Sequence, residues 1–254
     1  MMIEKLIEVK DLEIYFKEND FTAVKSISFD LYEGEILALV GESGSGKSLT
    51  ASSIIGLAPL NSQLKGQIYY KGEELYPNYP VKLRGHHIAM IPQDTLSALN
   101  PVFKVGEQVY EAVDIWRKDL SKTEKKNLVL KTFADVGIAD PETCYEAYPH
   151  EISGGMRQRA MIAMAVINEP DVIIADEATT ALDVTVQALI LKLLKKLNKT
   201  ILFITHDLGV VAEIADRVIV MKRGEILEEN DVFGLFENPS HEYTRELLAS
   251  IPRV

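Results

Sequence analysis

Short alternations of apolar and polar residues dominate the first 40 positions of the chain. Ile7 and Val9 form one such piece, and Ile27, Phe29 and Leu31 form another. Side chains two residues apart lie on the same face of a strand, so this pattern predicts half-buried strands. We therefore expect an antiparallel sheet at the start of the chain.

Three continuous apolar runs follow a different pattern. They are ILALV at 36–40, VIIAD at 172–176 and ILFIT at 201–205. Runs without polar interruption are typical of strands that are covered on both faces of a parallel sheet. Because ligands in open α/β sheets bind beyond the carboxyl ends of such strands, the residues that follow these three runs are expected to share one site.

Helical patterns occupy the middle of the chain and its end. Between about residues 94 and 169 the buried-strand runs are missing, which predicts an inserted helical subdomain. Residues 1–93 and 170–237 then form the core, and 238–254 form a short C-terminal helical segment, all within a single α/β domain. One further helix is predicted by a stripe of apolar residues at helical spacing, namely Val186, Leu189, Ile190, Leu193, Leu194 and Leu197.

Composition and charge restrict the class of protein. The 254 residues carry a formal net charge of -11, which opposes the basic surface expected of a nucleic-acid-binding protein. The single cysteine, Cys144, fits a reducing compartment. The first 16 residues lack a basic segment followed by a continuous apolar run, so no secretion signal is expected. The longest apolar stretch, residues 160–167, is far shorter than the roughly 20 residues of a membrane-spanning helix. Membrane association is therefore expected only through partner proteins.

The strongest chemical signal is the string GESGSGKS at residues 41–48, directly after the first continuous apolar run. Glycines allow the backbone to wrap phosphates, and the following helix start attracts negative charge. Lys47 can neutralise the β- and γ-phosphates, and the Ser48 hydroxyl can ligate Mg²⁺. The predicted phosphate-binding set is Gly41, Ser43, Gly44, Ser45, Gly46, Lys47, Ser48 and Leu49.

Two carboxylates and a histidine follow the other two buried strands. Asp176 and Glu177 end the second run, and His206 follows the third. Asp176 suits a metal ligand, whereas Glu177 can orient or deprotonate a water molecule that attacks the γ-phosphate. His206 can hydrogen-bond the γ-phosphate or that water.

A second anion-binding element is predicted at EISGGMRQR, residues 151–159. Ser153 is a good N-cap, and Gly154 and Gly155 leave the helix start exposed, with its positive dipole end toward solvent. Taken alone, the segment is an equally good ordinary helix cap.

The order and spacing of these elements resemble the ABC ATPases over essentially the whole chain. The shared elements are the phosphate loop, Gln93, the Ser-Gly-Gly signature at 153–155, the Asp-Glu pair at 176–177, Ala-Leu-Asp at 181–183 and His206. The resemblance implies a RecA-like P-loop NTPase that uses ATP and Mg²⁺. It also implies a head-to-tail dimer in which one subunit's phosphate loop and the other's signature segment enclose each ATP.

The same resemblance assigns further roles. Gln93 is expected to contact Mg²⁺ together with Ser48 and Asp176, and Asp183 to lie at the nucleotide. An aromatic side chain near the N-terminus is expected to stack on adenine. Phe16 is the best match, and the neighbouring Tyr15 is the alternative. Glu177 and His206 are the expected catalytic residues.

Three further stretches resemble the peptide/nickel importer subfamily. They are QDTLSALNPVFKVGEQV from residue 93, DEATTALDVTVQA from residue 176 and NPSHEYTRELLASIPRV from residue 238. The chain departs from the family pattern at Met156, where glutamine is usual, and at Ala178, where proline is usual. The cargo is either peptide or nickel. The ATPase partner is either an identical or a paralogous subunit.

The subfamily implies further partners and a location. These are two membrane permeases, an extracytoplasmic substrate-binding protein and a peripheral position on the cytoplasmic face of the membrane. The alternative is a soluble ABC ATPase that serves an assembly of the phosphonate-cleavage type. The two readings differ at residues 93–109, which contact the membrane subunits in transporters.

Overall fold

The computed structural model describes residues 4–94, 98–179 and 184–250. The chain divides into two compact units, the first formed by Met1–Val81 with Asn198–Val254 and the second by Lys82–Leu197. Asp183 therefore lies outside the described residues, and its predicted role at the nucleotide stays a prediction.

The first unit opens with an antiparallel sheet in the strand order β2-β1-β4-β5. Ile7 pairs with Leu31 and Val9 with Phe29, and all four side chains are buried, as their alternation predicts. The strands of this sheet are β1 (Lys5–Phe16), β2 (Phe21–Tyr32), β4 (Ser62–Tyr70) and β5 (Glu73–Glu74).

A second group of strands in this unit has the order β10-β9-β3-β8. β3 (Ile36–Val40) runs parallel to β8 (Thr200–Thr205) and to β9 (Arg217–Lys222), and β10 (Glu225–Asp231) pairs antiparallel with β9. Every residue of β3 and β8 is buried, as expected for continuous apolar strands. The helices here are α1 (Lys47–Ile54), α7 (Leu208–Ile214), α8 (Val232–Glu237) and α9 (Glu242–Ala249).

The second unit combines two parallel strands with helices. β6 (Ile88–Ile91) pairs with β7 (Val172–Asp176). Val109 and Phe133 are fully buried where the helices of this unit pack on one another. Its helices are α2 (Val105–Trp116), α3 (Lys122–Asp135), α4 (Pro141–Glu146), α5 (Gly154–Val166) and α6 (Val184–Lys196).

Local sequence sets where the helices of the second unit begin. Ser121 and Glu124 form a reciprocal capping box at the start of α3. Asp140 accepts a hydrogen bond from the Thr143 amide at 3.0 Å ahead of α4. Cys144, in α4, is buried, and burial raises the pKa of its thiol to about 11, so the thiol is protonated and unreactive at neutral pH.

The predicted stripe on α6 is partly wrong. Ile190, Leu193 and Leu194 are buried as expected, but Leu189 is exposed and Leu191 is buried instead. The buried face is thus rotated by part of a turn, because residues 190, 191 and 194 lie together on one side of a helix with 3.6 residues per turn. Among the helices that the structure describes, none has the length and apolar character needed to span a bilayer.

Candidate nucleotide-binding and catalytic site

The phosphate loop joins the end of β3 to the start of α1 in the first unit. Gly46 stands at the N-cap of α1 with φ 103°, and the amide and hydroxyl of Thr50 donate to its carbonyl at 2.9 and 3.0 Å. Ser45, Gly46 and Lys47 are buried, whereas Ser43, Gly44 and Ser48 are exposed, and Leu49 is half-buried. The exposed stretch therefore presents backbone and hydroxyl groups beside a helix start, an arrangement that binds phosphate.

Neighbouring strands hold this loop from two sides. The Gly224 amide, in the turn between β9 and β10, donates to the Ser45 carbonyl at 3.0 Å, and the Lys25 amide donates to the Gly224 carbonyl at 2.8 Å. A Cβ atom at position 46 would lie 3.0 Å from the Ala23 carbonyl oxygen on β2. The loop conformation is thus fixed by backbone contacts before any ligand binds.

Lys47 is 4% exposed, and its amino group lies on the loop itself. It donates to the carbonyl oxygens of Gly41 and Glu42 at 2.8 and 2.9 Å, and it lies 3.3 Å from the Ser45 hydroxyl oxygen. These oxygens hold a positive charge at the loop, where phosphate oxygens could replace them.

Gly41 is required by close packing against β9. Its φ is +152°, and a Cβ there would lie 2.1 Å from the Met221 carbonyl oxygen. We expect Gly41→Ala to lower the free energy of unfolding by more than about 2 kcal/mol, because a backbone oxygen cannot move aside as a side chain can. Urea unfolding measures the change.

Gly34→Ala is the matched control for that substitution. Gly34 also has a positive φ, +78°, but no atom lies within 4 Å of the added Cβ. Gly34→Ala should lower the free energy of unfolding by only about 1 kcal/mol, the cost of a left-handed backbone conformation at a non-glycine residue. Equal unfolding midpoints for the two variants would contradict the packing argument.

His206 lies at the same edge of the first unit's parallel strands as the phosphate loop. Val40 pairs with Thr205, so Gly41 and His206 each stand one residue beyond the paired strand ends. His206 is exposed, and the neighbouring Asp207 caps α7 by accepting from the Gly209 amide at 2.8 Å. Within this unit, the structure therefore brings the predicted loop and histidine to one edge.

In the second unit, the ends of β6 and β7 bring Gln93 and Glu177 together. Ile91 pairs with Ala175, and two residues further on the Gln93 amide nitrogen donates to Glu177 Oε2 at 2.7 Å. Glu177 has φ 45°, a left-handed conformation that a non-glycine residue rarely adopts. Asp176, the last residue of β7, is buried. Backbone strain of this kind is concentrated at functional sites.

The predicted signature segment begins α5. Ser153 caps the helix by accepting from the Met156 amide at 3.2 Å. A Cβ at Gly155 would lie 3.2 Å from Val186 Cγ1, so glycine permits close approach of α6. Arg157 donates to the carbonyls of Pro149 and Ile152 at 3.1 and 2.6 Å and so fixes the segment that leads into the helix.

The two aromatic candidates for adenine stacking end β1. Phe16 and Tyr15 are both half-buried, and the Tyr15 hydroxyl donates to Asp20 Oδ1 at 2.9 Å. The hydrogen bond to Asp20 raises the pKa of the Tyr15 hydroxyl. Side chains of successive strand residues point to opposite faces, so only one of the two can stack on a given ligand.

One contact at the phosphate loop was missed from the sequence. The Glu42 amide donates to the hydroxyl oxygen of Tyr243 at 3.3 Å, although 201 residues separate the two. Tyr243 belongs to the Tyr-Thr-Arg-Glu-Leu-Leu stretch that marked the subfamily, and no local spacing signals its contact with the loop.

Comparison with known proteins identifies the class of protein that carries this loop. A family model described as "ABC transporter" matches residues 24–180, more than half of the chain. The chain therefore belongs to the ABC transporter family, and the predicted α/β P-loop NTPase fold is confirmed.

Two relatives of the chain are transport ATP-binding proteins. The dipeptide transport ATP-binding protein DppD of Bacillus subtilis (strain 168) is 47% identical over 99% of this chain and 78% of that protein. The oligopeptide transport ATP-binding protein OppD of the same organism is 47% identical over 98% of this chain and 73% of that protein.

A solved structure shows the same architecture. The ATP-binding cassette MJ0796, in a dimeric post-hydrolysis state bound to ADP and Pi, superposes with a TM-score of 0.80 at 29% identity. The match covers 89% of this chain and 99% of the cassette. The recognition of an ABC ATP-binding subunit from sequence motifs is thus confirmed.

Proposed function

We propose that this chain is the ATP-hydrolysing motor subunit of a peptide importer. The observation that carries the proposal is the 47% identity to a dipeptide transport ATP-binding protein, which extends through 99% of the chain. The motor works at the cytoplasmic face of the membrane on two permease subunits, which receive peptide from an extracytoplasmic substrate-binding protein.

ATP binds first through its phosphates. Lys47 leaves the carbonyl oxygens of Gly41 and Glu42 and donates instead to the β- and γ-phosphates, whose charge makes them stronger acceptors. The loop amides from Gly44 to Leu49 and the positive end of α1 bind the remaining phosphate oxygens. Phe16 stacks on the adenine, with Tyr15 as the alternative.

A magnesium ion is expected with the nucleotide, and the donor chemistry fits it. Ser48, Gln93 and Asp176 would hold it through hydroxyl, amide and carboxylate oxygens, the hard ligands that Mg²⁺ prefers. Gln93 uses its amide nitrogen toward Glu177, which leaves its amide oxygen as the atom that can ligate a cation. A bound ion would supply positive charge against the charge that develops on the phosphates.

Hydrolysis requires a base and a hydrogen-bonding partner for the γ-phosphate. Glu177 accepts the proton of the attacking water, and the Gln93 amide holds its carboxylate in place at 2.7 Å. His206 donates to the γ-phosphate or the attacking water. The start of α5, with Ser153, Gly154 and Gly155, binds the γ-phosphate held by the other subunit of a head-to-tail dimer. Asp183 binds the nucleotide.

A groove beside α2 supports a membrane-protein partner. It has a volume of about 630 Å³, and the Phe103 side chain at its rim is 53% exposed. Gln108 holds the rim by donating to the Asn100 and Phe103 carbonyls, each at 3.0 Å. The residues that line the groove are Ala98, Asn100, Phe103, Glu107, Gln108, Glu111, Ala112, Ile115 and Met164.

The chemistry of the groove indicates the kind of segment it receives. Phe103 and Ile115 are exposed apolar side chains, and Glu107 and Glu111 add negative charge. An exposed apolar patch with a polar border is typical of a protein interface. We assign the groove to a cytoplasmic helix of a permease that carries an apolar side chain and a basic one.

Reconstitution with the permeases tests the proposed function. The chain, alone or with a paralogous ATPase, is assembled with two permeases in lipid vesicles, and peptide uptake is measured with ATP. Phe103→Asp is expected to reduce uptake at least tenfold and to leave ATP hydrolysis by the free chain unchanged. Phe233→Asp, at a side chain that is 75% exposed on α8, is the matched control and should retain uptake.

Two results would overturn the assignment. Uptake that persists in Phe103→Asp would remove the groove as the docking surface. A chain that hydrolyses ATP but binds neither permease would instead support a soluble assembly of the phosphonate-cleavage type.

A further inference from the structure

Tyr243 connects the C-terminal helix to the phosphate loop. It stands in the first turn of α9, is 3% exposed, and packs in a core cluster with Val40, Leu208 and Val220. Its hydroxyl oxygen accepts a hydrogen bond from the Glu42 amide at 3.3 Å. The ring is therefore held by the core while its polar end contacts the loop.

The entry to α9 is itself fixed by hydrogen bonds. The buried carboxylate of Glu228, on β10, accepts from the Ser240 and His241 amides at 2.8 and 3.0 Å. The His241 ring then accepts from the Tyr243 amide at 3.1 Å and caps the helix. Lys222 Nζ lies 3.9 Å from the centre of the Tyr243 ring, at a distance typical of a cation–π contact. These contacts leave the hydroxyl little freedom to move away from the loop.

The peptide that Tyr243 contacts is the one on which Lys47 rests. The Gly41–Glu42 peptide donates its N–H to Tyr243 and accepts the Lys47 amino group on its carbonyl oxygen at 2.8 Å. Rotation of this peptide would move both groups together, because a peptide unit is planar. The hydroxyl thus restrains the first turn of the loop, next to the lysine that binds phosphate.

Burial raises the pKa of the Tyr243 hydroxyl, and the Glu42 carboxylate contributes in the same direction. The hydroxyl is therefore neutral at physiological pH and does not repel the phosphates. Its contribution to the site is geometric.

We propose that Tyr243 is a positioning residue for the nucleotide site: its hydroxyl holds the Gly41–Glu42 peptide in the orientation that binds ATP, so the C-terminal helix is part of the phosphate-binding structure. This inference rests on the proposed function, since it requires ATP to bind at the phosphate loop. The C-terminal helix α9 thereby has a role at the nucleotide site in addition to its packing on the core.

Tyr243→Phe tests the proposal, because it removes the hydroxyl and keeps the ring. We expect the affinity for a fluorescent ATP analogue to fall about three- to tenfold, the range expected for one hydrogen bond. The kcat at saturating ATP should stay within twofold of the parent, so that the loss appears in KM. In hydrogen exchange without nucleotide, the Glu42 amide should exchange at least threefold faster.

Tyr70→Phe is the matched control. Tyr70 is 6% exposed, and Lys71 Nζ lies 5.4 Å from its ring centre, so the change removes the hydroxyl of another buried tyrosine that has a lysine beside its ring. It should leave ATP affinity and Glu42 exchange unchanged.

Each contrary outcome has its own meaning. A parent chain that binds ATP, with Tyr243→Phe binding equally well, would overturn the positioning role and leave the proposed function intact. Equal losses of ATP affinity in Tyr243→Phe and Tyr70→Phe would mean that the effect arises from general destabilisation. That result would also overturn the positioning role. A parent chain that binds no ATP would overturn the proposed function and the positioning role together.

Discussion

Lys47→Ala is expected to weaken ATP binding about 100-fold or more and to abolish measurable hydrolysis. Hydrogen bonds to charged groups contribute about 1.5–3 kcal/mol each, and Lys47 is proposed to make two, to the β- and γ-phosphates. The loss of about 3 kcal/mol corresponds to a factor of roughly 100 in the dissociation constant. Titration with a fluorescent ATP analogue measures the effect.

Lys125→Ala controls for the removal of a buried lysine. Lys125 is also buried, and its amino group pairs with Asp114 at 2.7 Å on the helices of the second unit. Its loss should lower stability and leave the ATP dissociation constant of the folded chain within twofold of the parent. If Lys47→Ala bound ATP within threefold of the parent, the loop would not be the phosphate site.

Glu177→Gln is expected to reduce kcat by about 10²–10⁴-fold, the range for loss of a general base. A neutral amide cannot accept the proton of the attacking water. The substitution is nearly isosteric and can still accept a hydrogen bond from Gln93, so ATP binding should change less than twofold. Steady-state hydrolysis and nucleotide titration together separate the two effects.

Glu169→Gln provides the comparison for that result. Glu169 shares the left-handed backbone conformation of Glu177, with φ 53°, and precedes β7 instead of following it. It should hydrolyse ATP at the parental rate. Hydrolysis by Glu177→Gln at the rate of Glu169→Gln would mean that Glu177 is not the base.

Local pattern predicted the elements best where one face or both faces of a strand are buried. The continuous runs became β3, β7 and most of β8, because such strands need no polar face. Gly41 could be recognised as a loop glycine, but its contact with Met221 depends on how β9 pairs with β3, which local spacing does not encode.

Contacts between residues far apart in the chain could not be predicted from the sequence. The Tyr243 contact with Glu42 joins residues 201 positions apart and arises only when α9 packs on the core. On α6 the apolar stripe predicted that Leu189 would be buried, yet Leu189 is exposed and Leu191 is buried. Packing against neighbouring elements determines which side of an apolar helix is covered. The Gln93–Glu177 bond was also unforeseen, although both residues were singled out.

Two ATP-bound subunits are proposed to close head to tail, and the mass of Glu177→Gln in solution detects this closure. The variant is measured alone and mixed with a paralogous ATPase by size exclusion with light scattering, in ATP with Mg²⁺ and then in ADP with Mg²⁺. We expect a two-subunit species in ATP that separates in ADP and is lost in Ser153→Arg. Tight ATP binding without any such species would rule out head-to-tail closure, as would a dimer that depends on neither nucleotide nor Ser153.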